Sequence, residues 1–287
     1  MTVRVVTDST AYLPSELART HGIEVVPLHV VVGGVDRVEG QDITAAQVAA
    51  ALREYTIVTT SRPTPTVFAE TYQRLADEGA SGVVSIHLSS QMSGTVEAAR
   101  LAAAEATVPV EVVDSETIGM AMGFAVVAAA EAASSGAEVP AVLEAVHDRL
   151  GPSGVLFYVD TLEHLRRGGR IGAASALLGS ALAIKPLLSL QRGHIEPIEK
   201  VRTASRALVR MEELAVRAID AAGAGGVDVA VHHLDSLDRA CRLAERLRTE
   251  LPVDADVDLF EIGAVVGAHV GPGTIAVVVS PRPDRAG

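Results

Sequence analysis

The chain has 287 residues, is 48% hydrophobic, carries a formal net charge of -12, and holds no Trp, four Phe and four Tyr. That length suits one large domain or two ordinary ones around an aliphatic core, and the acidic balance argues against a general nucleic-acid binder or a binder of anionic membranes. The single cysteine, Cys241, excludes an internal disulfide and a cysteine-based metal cluster.

Val3–Thr7 reads as a strand ending in Asp8-Ser9-Thr10, with no basic, apolar leader before it. A short helix starts near Pro14, and Ile23–Val26 and Leu28–Val32 are extended runs. Gly33-Gly34 turns the chain into Val35–Val38 as a hairpin. Thr44 caps a helix over 44–55, and the prolines of Thr60-Ser61-Arg62-Pro63-Thr64-Pro65 then exclude helix and central strand. A helix over 66–78 leads to the apolar run Val83–Leu88, a buried strand that stops at Ser89-Ser90-Gln91-Met92-Ser93-Gly94-Thr95 and feeds a helix over 95–106.

Val110–Val113 is a strand closed by Asp114-Ser115, and Ile118–Ala133 is a helix apolar on nearly all sides, hence buried. Its longest apolar stretch, Ile118–Ala130, is too short to span a bilayer, so a soluble, cytoplasmic protein without an integral membrane segment is expected. Gly151-Pro152-Ser153-Gly154 marks a domain boundary, giving lobes over 1–150 and 151–287. Beyond it come a strand Val155–Val159, a short helix Thr161–Arg167, a helix Ile171–Ile184, and a hairpin of Pro186–Leu190 with His194–Pro197. Thr203–Ala222 is a long helix, Val227–His232 a strand and Ser236–Leu247 a helix. Val257–Ile262 and Thr274–Val279 are strands joined by a Gly-rich loop. Alternating strands and helices define an α/β fold.

Four stretches combine polar groups with enforced backbone shape. In Ser93-Gly94-Thr95, the N-terminus of a helix offers unpaired N–H groups and a positive dipole end to an anion, with hydroxyls beside it. Ser93 acting only as a helix cap is the bland alternative. Thr60-Ser61-Arg62-Pro63 presents two hydroxyls from a rigid loop, and Leu165–Ile171 carries Arg166, Arg167 and Arg170 around Gly168-Gly169. In Ile262–Thr274, His269 sits among glycines and a proline, where an imidazole can donate to a carboxylate and is then stabilised as imidazolium. Asp8-Ser9, Asp114-Ser115 and Asp235-Ser236 repeat at strand ends, where the ligand crevice of an α/β sheet lies; helix capping is the bland account, strongest for Asp235-Ser236, and Asp8-Ser9 is more open because the first helix starts later. Metal ligation by His232 and His233 is not expected, and no metalloprotease, phosphate-loop or nucleophile-elbow motif occurs.

Together these stretches resemble the DegV family of bacterial fatty acid-binding proteins. The resemblance rests on Thr7–Pro14, Thr60–Pro65, Ser89–Thr95, Val113–Ser115, Leu162–Ile171, Lys185-Pro186, Glu199–Thr203 and Gly267–Gly273, in family order. Two departures stand out: Arg62 where the family usually has Gln, and Val96-Glu97 for a common Tyr-Gln. The resemblance implies two α/β lobes with one long-chain fatty acid bound between them and no cofactor. It implies that the hydroxyls of Thr60 or Ser61 and of Ser93, with Gly94 and with His269 nearby, hold the carboxylate. It further implies presentation of the acid to the ATP-binding subunit of a fatty acid kinase, which makes acyl phosphate. Arg170 and Arg202 match positions tied to the head-group network and to partner docking. The helices over 118–130 and 173–184 are the candidate lining for the acyl chain. Two competing readings are an acyl hydrolase or acyltransferase with Ser93 as nucleophile and His269 as base, and a site for another anion such as a phosphate ester.

Overall fold

The computed structural model describes residues 2–177, 185–222, 225–251 and 257–283. The chain divides into two compact units, one of residues 1–29 and 61–151, the other of residues 30–60 and 152–287. This differs from a single cut near residue 150: the segment 30–60 groups with the C-terminal half, so Thr60 and Ser61 fall in different units.

In chain order, β1 (Thr2–Asp8), a 3-10 turn (Ser9–Ala11), α1 (Ser15–Thr20) and β2 (Glu24–Val26) open the first unit. The inserted segment forms β3 (His29–Val32), β4 (Val35–Val38), α2 (Ala45–Arg53) and β5 (Val58–Ser61). Gly33 and Gly34 both adopt positive φ, the geometry that a two-residue hairpin demands. Thr44 and Gln47 cap α2 reciprocally, each side chain accepting the other's backbone N–H. β5 extends through Thr60 and Ser61, which are therefore strand residues and not loop residues as the prolines suggested.

The first unit resumes with α3 (Pro65–Asp77), β6 (Ala80–His87), α4 (Thr95–Ala103), β7 (Val110–Asp114), α5 (Met120–Ser134) and α6 (Val139–Leu150). Its sheet is wholly parallel in the order β2-β1-β6-β7. β6 is buried at every residue but Ser81, as expected of a parallel strand with helices over both faces. Phe68, Tyr72 and Leu75 of α3 and Ala98, Ala99 and Ala102 of α4 pack on Val6, Val26 and Val83. The apolar α5 lies inside this unit against β1 and α6, and Gly123 brings it onto the Ala11 carbonyl. The helix proposed as acyl lining is thus largely core.

The second unit continues with β8 (Gly154–Tyr158), α7 (Glu163–Arg167), a 3-10 helix (Gly172–Leu177), β9 (Lys185–Gln191) and β10 (His194–Val201). It ends with α8 (Ala204–Asp220), β11 (Val227–His233), α9 (Leu237–Glu250), β12 (Val257–Glu261), α10 (Ala264–Val270) and β13 (Ile275–Pro281). Where a helix over 171–184 was expected, the described part is the 3-10 helix, and residues 178–184 lie outside the described residues. Six strands form a mixed sheet in the order β10-β9-β8-β13-β11-β12, with β11 and β12 parallel. The strands β4-β3-β5 form a separate small sheet. Aliphatic faces of α8 and α9, including Met211, Ala215, Leu243 and Leu247, bury Val229, Val231, Val277 and Val279.

The Gly-rich stretch before β13 is the main surprise. It was expected to be a loop, yet Ala264–Val270 is helical. The Glu39 carboxylate accepts the Val265 N–H at 2.8 Å, satisfying a donor that the helix itself leaves unpaired. Gly267 admits the Leu234 and Val48 side chains against the helix backbone.

Among the described residues no helix is long and apolar enough to cross a membrane.

Candidate functional site

The polar groups singled out in the sequence fall into two sets, one in each unit. In the first unit they gather where β6 hands over to α4. Ser89 anchors the connecting loop: its N–H donates to Thr117 O at 3.0 Å, its carbonyl accepts Met92 N at 3.0 Å and Ser93 N at 3.1 Å, and its hydroxyl accepts Gln91 N at 3.1 Å. Asp114 braces the same loop by accepting Ser90 N at 3.2 Å, while also accepting Glu116 N at 3.0 Å. Its role is loop bracing and not the helix capping that its place at a strand end suggested.

Ser93 does not cap α4. The capping position belongs to Gly94, which has no side chain to accept the first-turn N–H groups. Ser93 Oγ instead pairs with Thr95 Oγ1 at 2.8 Å. The arrangement is a helix N-terminus without a side-chain cap, flanked by two mutually bonded hydroxyls, where donors and dipole favour an anion. Arg62 reaches over it and donates from Nη1 to Gly94 O at 3.2 Å. Its guanidinium occupies the space that a side chain at position 94 would take, so the glycine there admits a cation of the protein itself.

In the second unit Thr60 and His269 meet. Thr60 Oγ1 and His269 Nε2 are 2.8 Å apart, joined from positions 209 residues apart in sequence. His269 occupies the last turn of α10 and is largely buried. Among the described residues its Nδ1 has no hydrogen-bond partner. Burial, and secondarily the charge of Arg170, push the His269 pKa down to about 4, so the imidazole is neutral near pH 7. A carboxylate beside it acts in the opposite direction, by favouring the imidazolium.

Two glycines fit α7 to α10 in a reciprocal manner. Gly168, just after α7, leaves room for the His269 ring against its Cα. Gly271, just after α10 and with φ of +77°, does the same for the ring of His164. Burial also lowers the pKa of His164. A third glycine, Gly273, admits the Asp160 carboxylate, which accepts the Tyr158 hydroxyl at 2.6 Å. The motif around Gly168-Gly169 therefore does more than supply arginines: it seats the imidazole.

Arg170 donates to Gly168 O at 2.5 Å and stays exposed. Arg202 is exposed on a cleft of ≈ 620 Å³ lined also by Lys200, Arg206 and Arg210. Thr60, His269 and Arg170 thus belong to one neighbourhood, whereas Ser61, Ser93 and Gly94 belong to the other unit. Asp235 adopts a left-handed φ of 51° and pairs with Arg53, and Ser236 makes no side-chain cap, so this third Asp-Ser pair is not the helix cap expected.

Sequence reading missed a buried chain of side chains in the first unit. Tyr72 OH donates to Ser85 Oγ at 2.8 Å, Ser85 lies 2.7 Å from His87 Nε2, and His87 Nδ1 lies 3.0 Å from Asp8 Oδ2. Asp8, Ser85 and His87 are each 0% exposed. An Asp–His–Ser order suggests hydrolytic chemistry, but a substrate has no access to a sealed serine whose oxygen already accepts a tyrosine proton. Asp8 and His87 are visible in the sequence, but nothing local signals that they touch.

This architecture is that of a class of solved bacterial fatty acid-binding proteins. A fatty acid-binding DegV family protein from Thermus thermophilus superposes with a TM-score of 0.91 at 35% identity, covering 98% of this chain and 100% of that one. DegV from Bacillus subtilis, described as a fatty acid binding protein, gives a TM-score of 0.89 at 31% identity with coverage of 98% and 100%. The chain belongs to the DegV family: residues 2–282 match the family model described as "Uncharacterised protein, DegV family". It is also similar to a DegV domain-containing protein of Streptomyces coelicolor, 56% identical over 280 residues, 98% of this chain and 99% of that one.

Proposed function

We propose that this chain binds one long-chain fatty acid and presents its carboxylate to the ATP-binding subunit of a fatty acid kinase. The observation that carries the binding reading is the likeness, over nearly the whole chain, to solved fatty acid-binding proteins at 35% and 31% identity. Thr60 or Ser61, Ser93, the backbone at Gly94, and His269 hold the carboxylate. The uncapped end of α4 supports this role, because its N–H groups and dipole suit an anion. So does the Thr60–His269 pair, which offers a hydroxyl and a ring nitrogen from a partly buried position.

In the kinase step a carboxylate oxygen attacks the γ-phosphorus of ATP. A new P–O bond forms, the bond to the β-phosphate oxygen breaks, and acyl phosphate and ADP leave. Arg170 belongs to the head-group network, and Arg202 to the face that meets the kinase subunit. Charge reversal by Arg202→Glu is expected to leave fatty acid affinity unchanged and to abolish kinase-dependent acyl-phosphate formation. Loss of fatty acid binding in that variant places Arg202 in the pocket instead.

A Ser93/His269 hydrolase is less well supported. Such a base needs a group on its other ring nitrogen to fix its orientation, and among the described residues His269 Nδ1 has no hydrogen-bond partner. Native mass spectrometry of the purified protein tests the binding reading: a co-purifying or added fatty acid, released intact, is expected. A phosphate ester, or a covalent acyl adduct on Ser93, refutes it.

A further inference from the structure

The buried carboxylate of Asp8 stands two hydrogen bonds away from Ser93. Its Oδ1 accepts Thr10 N at 3.0 Å and Thr10 Oγ1 at 2.6 Å. Its Oδ2 accepts Leu88 N at 3.0 Å and faces His87 Nδ1 at 3.0 Å. One carboxylate thus takes three donors and lies against an imidazole nitrogen as its fourth polar neighbour. Leu88 is followed by Ser89, whose carbonyl accepts the Ser93 N–H at 3.1 Å. On the other side Thr10 O accepts Gly119 N at 2.9 Å, which ties the start of α5 to the same turn.

Ser85 Oγ accepts the Tyr72 proton and lies 2.7 Å from His87 Nε2, while His87 Nδ1 faces Asp8 Oδ2 at 3.0 Å. Burial pushes the Tyr72 pKa up to about 12, which keeps that first donor protonated. The four side chains form one continuous buried line from Tyr72 to Asp8.

We propose that Asp8 is a positioning residue for the head-group loop, its carboxylate fixing the departure of Leu88-Ser89 from β6 and through it the placement of Ser93, Gly94 and Thr95. The proposal rests on the fatty acid reading of that loop. Asp8→Asn keeps the shape but sets an amide NH2 against existing donors in either orientation, Leu88 N–H on one side or Thr10 on the other. With the amide toward Leu88 the loop start loses its acceptor, and with the amide toward Thr10 the turn that holds the residue loses its acceptor instead.

The test uses the full-length protein and oleate labelled with carbon-13 at its carboxyl carbon. The bound carboxyl resonance, its pH titration and the dissociation constant are measured for wild type, Asp8→Asn and Val146→Ala. Val146 is a fully buried core residue of α6 and serves as a stability control. Asp8→Asn is expected to displace or broaden the carboxyl resonance and to weaken binding roughly ten-fold, the scale of one lost hydrogen bond to a charged group. Val146→Ala is expected to lower the melting temperature without moving the resonance. An unmoved resonance and unchanged affinity in Asp8→Asn overturn the proposal and leave Asp8 as a stability residue only. If Asp8→Asn does not fold, the isosteric Thr10→Val, which deletes one donor to the carboxylate, is expected to give a smaller displacement, and none overturns the proposal. Failure of wild type to bind oleate instead removes the fatty acid reading, and the positioning role with it.

Discussion

The Thr60–His269 pair makes a sharp prediction because the two residues share a single contact. Thr60→Val keeps the side-chain shape and removes Oγ1. His269 Nε2 then loses its partner at 2.8 Å, while Nδ1 already has none. An unsatisfied buried polar group costs about 1–3 kcal/mol. A loss of ~2 kcal/mol in a domain of this size lowers the melting temperature by about 4–8 °C. The effect on binding is separable. Loss of one charge-assisted hydrogen bond to the carboxylate, about 1.5–3 kcal/mol, weakens a fatty acid by roughly 10- to 150-fold. Thr60→Ser retains the hydroxyl and is expected to restore most of the affinity. Scanning fluorimetry reads the first quantity and calorimetric titration with oleate the second. Wild-type affinity in Thr60→Val, or equal behaviour of the Ser and Val variants, refutes the assignment of Thr60 to the head group.

Two further outcomes are expected. Burial lowers the pKa of four histidines of the second unit, to about 4 for His269 and about 3 for His232, and in the same direction for His164 and His233. The unfolded chain therefore binds more protons below about pH 6.5, so stability is full above that pH and falls as pH drops. His269 alone accounts for on the order of 2 kcal/mol by pH 5. Melting curves from pH 8 to 5 check this, a flat profile refutes it, and bound oleate is expected to flatten the slope by stabilising the imidazolium. Separately, Gly168→Ala places a methyl against the His269 ring although its backbone is ordinary, so it is expected to break the Thr60 contact, weaken oleate at least ten-fold and destabilise the unit by about 1–3 kcal/mol. A Gly168→Ala variant with unchanged affinity shows that the ring position does not matter for binding.

Much of the fold is locally encoded, and those parts could be read directly. Thr44 with Gln47 announces the start of α2, Gly33-Gly34 and Arg192-Gly193 supply the positive φ values of two hairpins, and the run from Val83 to His87 could only be a buried strand. What could not be read depends on partners distant in sequence. α10 looks like a loop because glycines interrupt and flank it, and its stabilising acceptor, Glu39, lies 226 residues away. The same separation hides the grouping of residues 30–60 with the C-terminal half. The site was legible as residue types and not as contacts: His269 and Thr60 were each identifiable, but their pairing required the fold. Asp8 caps the turn after β1, a role the sequence leaves open because the first helix starts later, and its bonds to His87 and Leu88 cross 79 and 80 residues.

For a carrier of the proposed kind, these polar contacts decide orientation more than affinity. Each methylene buried contributes about 0.8 kcal/mol, so a long acyl chain contributes on the order of 10 kcal/mol before association costs. A head-group hydrogen bond adds about 1.5–3 kcal/mol when charge-assisted. A protein that only sequestered lipid would gain little from the arrangement seen around His269, where Gly168 gives up a side chain so that one imidazole can sit against its backbone with one nitrogen unpaired. A protein that must offer a carboxylate oxygen to an incoming phosphorus gains a great deal, since displacement of the reacting atom by even an ångström costs rate steeply. The variants at Thr60, Gly168 and Asp8 should therefore impair acyl-phosphate formation by a larger factor than they weaken oleate binding. Equal factors would mean that the polar contacts serve retention of the lipid alone.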